Sequence, residues 1–171
     1  MRKVNFNDLN IQYRNIKLEI DQSISQIINE SQFINGPNIL EFEKNFSQLI
    51  DSKYSISCGN GTDALYIAMK SLGLKNGDEV ITTSHSWIAT SEAISQTGAI
   101  PVFIDTEENS FCIDPNLIEE KITDKTVGIV PVHLYGNPCD MNKICAIAEN
   151  TIYGLLKIVR KLIWPNSIIK K

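Results

Sequence analysis

Two histidines in 171 residues, four cysteines without a C-x-x-C pair, and no apolar run of membrane-spanning length set the first bounds on this sequence. The scattered thiols (Cys58, Cys112, Cys139, Cys145) argue against a zinc-finger framework and a disulfide scaffold, and fit reduced cysteines. The N-terminus lacks the apolar core of a signal peptide, so the expected compartment is the cytoplasm, with no membrane partner. There is no internal repeat and no low-complexity segment. Acidic residues are absent from Asn150 onward, where Lys157, Arg160, Lys161, Lys170 and Lys171 fall, while eleven basic and twenty acidic residues precede that point. A basic tail can bind nucleic acid or an acidic surface, or it can be foreign to the rest of the chain. With 43% hydrophobic and 21% charged residues the composition is that of an ordinary globular domain with a sizeable core.

The most informative stretch that is present is Ser57-Cys58-Gly59-Asn60-Gly61-Thr62-Asp63-Ala64-Leu65. It follows a strand-like run, Tyr54 to Ser57, and opens an apolar helical segment. A helix start there exposes unpaired N–H groups and a partial positive charge, and the two glycines let an anion approach the backbone. A phosphate is the expected anion, and Thr62 adds a hydroxyl donor. No lysine occupies the Walker position, which argues against a nucleoside-triphosphate loop.

Upstream, Leu9, Ile16, Ile20, Ile24, Ile27 and Ile28 have the spacing of an amphipathic helix over 9–30. After the turn Asn35-Gly36-Pro37 a second helix is expected from Ile39 to Ile50. Beyond Lys53 the pattern alternates. Strands are expected at 54–58, 79–83, 100–104 and 127–132, and helices at 61–73, 87–97, 115–122 and 140–149, the pattern of a mostly parallel sheet covered by helices. In such sheets ligands gather beyond the carboxyl ends of the strands. The residues expected on that rim are the glycine turn, Ser84-His85-Ser86-Trp87, Asp105-Thr106 and His133-Leu134-Tyr135-Gly136.

Gly59-x-Gly61-x-x-Ala64 also meets a weak dinucleotide fingerprint, the mark of an oxidoreductase fragment. That fold needs an acid at the end of the next strand, and Thr82-Thr83-Ser84 stands there instead. Trp87 offers either a flat wall for an aromatic ring or a half-buried core residue. His85 and His133 are acid–base candidates or structural hydrogen-bonders. His133, Cys139 and Asp140 lack convincing metal-ligand spacing, so no metal site is expected. A non-catalytic scaffold using its basic tail is the alternative from outside the enzymes.

Six ordered stretches, Phe33-Ile34-Asn35-Gly36-Pro37 with Phe42-Glu43, Gly59 to Leu65, Gly77 to Ile81, Trp87 to Thr90, Gly98 to Asp105 and Pro131 to Gly136, resemble the pyridoxal-phosphate sugar aminotransferases of the DegT/DnrJ/EryC1/StrS type. The resemblance covers about residues 5 to 149. It implies an α/β chain of the PLP-dependent transferase fold type I: an N-terminal helical segment at 1–52, a partial PLP-binding large domain at 53–149 and an aberrant basic tail at 150–171. It implies pyridoxal 5'-phosphate as cofactor, with Gly61, Thr62 and Asp63 on its phosphate and Trp87 stacked on its pyridine ring. The implied substrate is a nucleotide-linked keto-sugar, with glutamate as amino donor and an amino sugar for surface polysaccharide as product. The implied full-length form is a homodimer with no nucleic-acid partner.

Such an enzyme also needs a lysine for the Schiff base and an aspartate on the pyridine nitrogen. In the family both lie downstream of the resembling region, and the tail contains no aspartate, so no catalytic residue is assigned here and the chain is expected to be inactive. Reading the codons from Asn150 one nucleotide earlier, with permitted synonymous choices, allows Asp-Cys-Ala-Gln-Ala-His after an apolar run, similar to the family's pyridine-binding segment. The hypothesis is a lost adenine near Glu149, tested by resequencing the coding DNA across Ala148 to Gly154. If the shifted frame does not encode that segment, the hypothesis fails. A chain of this kind is also expected to expose apolar surface and to be poorly soluble.

Overall fold

The computed structural model describes residues 7–151. The expected basic tail therefore lies, from 152 on, outside the described residues. The chain divides into two compact units, one up to Ser55 and one from Ile56 on.

The first unit contains two helices, α1 (Leu9–Glu30) and α2 (Pro37–Leu49). Asp8 starts α1 by accepting the Ile11 N–H, and Ser31 ends it in a left-handed conformation. Pro37 occupies the first position of α2, where its missing N–H costs nothing. Neither helix has a buried residue. Leu9, Ile24, Ile28, Leu40, Phe42 and Leu49 are all exposed, and Phe42 stacks on Phe46 one turn away.

The second unit holds a three-stranded parallel sheet in the order β2-β1-β3, with β1 at Glu79–Thr83, β2 at Ile100–Ile104 and β3 at Thr126–Val130. Its helices are α3 (Gly61–Ser71), α4 (Ala89–Gln96) and α5 (Met141–Thr151). Side chains alternate across β1 and β3, so each face of the sheet has its own core. Val80 and Val130 pack with Met69, Leu74, Ala93, Ile94 and Ala99 under α3 and α4. Ile81 and Ile129 pack with Ile113, Ile118, Ile144 and Ala148 under α5 and the segment that precedes β3. Each of the isoleucines at 81, 94, 113, 118, 129 and 144 is fully buried, and burial of one such side chain stabilises the fold by about 1.5–3 kcal/mol.

Two features shape the sheet's margins. The Ile100 N–H donates inward to the Asp78 carbonyl at 2.7 Å, which turns the nitrogen of Pro101 to the outer edge of β2. Gly98, between α4 and β2, has φ +92, and a β-carbon there would come within 3.1 Å of the Asn76 backbone.

Two expectations are corrected. The run 54–58 forms no strand and has no ladder partner among the described residues, and Tyr54 and Ile56 are exposed; β-propensity alone does not make a strand without a neighbour to pair with. The helix expected at 115–122 is two 3₁₀ turns, Pro115–Leu117 and Glu119–Lys121. Asp114 does cap this start, accepting the Asn116 N–H, but Ile113 and Ile118 turn into one core and Pro115 is buried as well, which a tight three-residue repeat permits.

Candidate active site

Both α3 and α4 run back against the strands, one leading into β1 and the other leaving it, so their N-termini share the carboxyl end of the sheet with the loops that follow the strands. This brings the glycine turn, the loop bearing His85 and Trp87, and the loops around Phe111 and Tyr135 to one rim.

Asn60 is the N-cap of α3. Its side-chain oxygen accepts the Asp63 N–H at 2.9 Å, and its amide donates to the Asp63 carboxylate at 2.9 Å. This reciprocal lock is the Asn counterpart of a capping box. The Ala64 N–H donates to the Asn60 carbonyl, leaving the N–H groups of Gly61 and Thr62 without an acceptor among the described residues. A β-carbon on Gly61 would meet nothing within 4 Å, so open ground lies beside these donors. On Gly59 it would come within 3.0 Å of the Asp63 carboxylate and crowd the lock. Two free N–H groups, a threonine hydroxyl and room for a tetrahedral anion match a phosphate.

Trp87 is 79% exposed and has no aromatic partner among the described residues. It is therefore not the half-buried core tryptophan that the sequence also allowed. His85 lies two residues earlier and is exposed; its N–H donates to Thr83 Oγ1 at 3.2 Å, and its ring contacts those of Phe111 and Tyr135. His133 is half-buried, with Nδ1 accepting the Cys139 N–H at 3.0 Å, and burial lowers its pKa. That bond requires an unprotonated Nδ1, so His133 has the structural role. The Cys139 thiol donates to the Val132 carbonyl at 3.2 Å; burial, with the Cys112 thiol nearby, pushes its pKa up to about 12 and makes it a poor nucleophile. Among the described residues no three His, Cys, Asp or Glu side chains converge as metal ligands.

Sequence reasoning missed two contributors. The Asn60–Asp63 lock was legible as a cap residue followed three positions later by an acid. Phe111 gave no signal, being a single aromatic in a turn whose position depends on the whole sheet.

A parallel sheet covered by helices, with an open helix end on its carboxyl rim, places the chain in a class, the α/β proteins. Comparison with known proteins gives the family. The sequence model of the DegT/DnrJ/EryC1/StrS aminotransferase family matches residues 14–157, and the chain belongs to that family. It is 41% identical over 152 residues to the UDP-2-acetamido-2-deoxy-3-oxo-D-glucuronate aminotransferase of Pseudomonas aeruginosa, spanning 89% of this chain and 42% of the relative. The solved structure of S. venezuelae DesV superposes with a TM-score of 0.85 at 36% identity, over 88% of this chain and 40% of that one. NtdA from Bacillus subtilis, solved with its cofactor PMP bound, gives 0.84 at 38% identity, over 88% and 35%. The chain thus spans about two fifths of the length of these relatives. The fold is that of the PLP-dependent transferases of fold type I, represented here by part of the large domain and two N-terminal helices, and the dinucleotide reading is set aside.

Proposed function

We propose that this chain carries the cofactor-phosphate site of a pyridoxal-phosphate sugar aminotransferase. The observation that carries the proposal is the first turn of α3, where the Asn60–Asp63 lock leaves the Gly61 and Thr62 N–H groups facing open ground. In this reading Gly61 and Thr62 donate to the phosphate, Asp63 holds the turn through Asn60, and Trp87 stacks on the pyridine ring. When bound, pyridoxal phosphate supplies an electron sink for the carbon that loses a proton. The covalent lysine and the carboxylate on the ring nitrogen are assigned to the portion of the relatives that this chain does not span. Alone, the chain binds and orients the cofactor without transaminating. In the full-length form the substrate is a nucleotide-linked keto-sugar, glutamate the amino donor, amino-sugar and polysaccharide synthesis the purpose, the cytoplasm the location and a homodimer the assembly. Domain limits of 1–52, 53–149 and 150–171 complete the proposal.

The test is a titration of the chain with pyridoxal 5'-phosphate, followed by quenching of tryptophan emission and by competition with inorganic phosphate. The Gly61→Val side chain would fill the open ground and weaken binding by about tenfold or more, about 1.4 kcal/mol. Equal affinity of parent and variant would remove the helix end from the site.

A further inference from the structure

The loops after β1, β2 and β3 meet at a single imidazole. The His85 ring lies 6.3 Å from that of Phe111, with the planes at 52°, and 6.4 Å from that of Tyr135, edge-on at 64°. Phe111 follows β2, Tyr135 follows β3, and both hold left-handed backbone, with φ 57 and 55. Residues bearing a β-carbon rarely adopt this conformation unless their surroundings impose it. Two of them converging on one ring make a built feature.

The surroundings that impose it are visible. The Phe111 N–H donates to the Glu107 carbonyl at 3.0 Å, and the Glu107 N–H to the Cys112 carbonyl at 2.9 Å. Asn137 ties the third loop to the second, its amide donating to the Ser110 carbonyl at 3.2 Å while its own carbonyl accepts from the Cys112 thiol at 3.3 Å. The first loop is joined to the other two through His85. Two residues further along stands Trp87, exposed, its carbonyl accepting the Thr90 N–H at 3.2 Å as α4 begins. The backbone that carries the indole is thus held between His85 and α4.

We propose that His85 is a positioning residue, its ring in contact with those of Phe111 and Tyr135 so that the loop after β1 keeps the Trp87 indole in the plane on which a cofactor ring stacks. This rests on the assignment of Trp87 to the cofactor ring. The property assigned to the imidazole is its ring shape, which phenylalanine shares and glutamine does not.

The experiment uses the full chain carrying Trp164→Phe, which leaves Trp87 as its single tryptophan. Without ligand, time-resolved anisotropy reports the mobility of the indole. His85→Ala is expected to add a fast depolarising component and His85→Phe to remove it. With pyridoxal 5'-phosphate as the probe, His85→Ala should raise the dissociation constant by about five- to tenfold, the scale of one aromatic pair, and His85→Phe should restore it. Phe111→Gly and Tyr135→Gly suit left-handed backbone, keep the turns and drop the rings, so each should loosen Trp87 with the circular dichroism of the parent. Unchanged anisotropy in His85→Ala overturns the proposal, as does rescue by His85→Gln but not by His85→Phe. If the probe fails to quench Trp87 in the parent, the assignment of Trp87 falls and the inference with it. If it quenches parent and His85→Ala at equal concentrations, the inference falls alone.

Discussion

His133 shows how a residue can look chemical in a sequence and turn out to be structural. Its Nδ1 accepts the Cys139 N–H, and burial places its pKa below the ordinary imidazole value of 6.5. The unfolded chain therefore takes up this proton more readily than the folded one. The contribution of His133 is complete above the ordinary imidazole value and is lost as pH falls from there through the depressed value in the folded state. Urea midpoints measured between pH 7.5 and pH 5 should fall for the parent, and His133→Gln should flatten part of that slope. A slope unchanged by the substitution would show that other groups carry it. At the same scale, the glycine turn at the start of α3 was legible because its signals act locally, within four residues, although the Asn60–Asp63 lock itself was missed. The cluster around His85 was not, because Phe111 and Tyr135 lie 26 and 50 positions away in sequence and meet it only once three strands are in register.

Among the elements, β1 and β2 were read from the sequence to the residue, since short apolar runs opening just after Gly77-Asp78 and Gly98-Ala99 leave little choice. The strand expected at 127–132 begins at Thr126 and ends at Val130, the residue before Pro131. Helix α1 was equally plain, because its isoleucines repeat with the helical period. The failures at 54–58 and 115–122 share a cause: propensity names a local preference, while a ladder partner or a shared core decides the outcome. Gly98 is where local and tertiary demands coincide. Its φ of +92 and the 3.1 Å approach to Asn76 leave no place for a methyl group. Gly98→Ala should destabilise the chain by about 1–3 kcal/mol, read as a lower urea midpoint. An unchanged midpoint would mean that the α4–β2 corner yields without cost.

At the scale of the whole molecule, α1 and α2 present Leu9, Ile24, Ile28, Leu40, Phe42 and Leu49 without burying any residue of either helix. Exposed apolar faces of this extent are contact surfaces or sources of aggregation. The chain is therefore expected to elute above monomer mass in size-exclusion chromatography at tens of micromolar, on the order of 10⁻⁵ M, and Ile24→Glu with Phe42→Glu should shift it toward the monomer. A monodisperse parent monomer would show that these faces are satisfied in another way. The outward nitrogen of Pro101 bears on what such association can become. An incoming strand finds a missing donor along β2, while β3 carries no proline, so of the two sheet edges among the described residues that of β3 is the better suited to pairing. Pairing through one edge per molecule is used up when two have met. Where sheets join through β3 alone, the product is a closed pair and not the seed of a fibre.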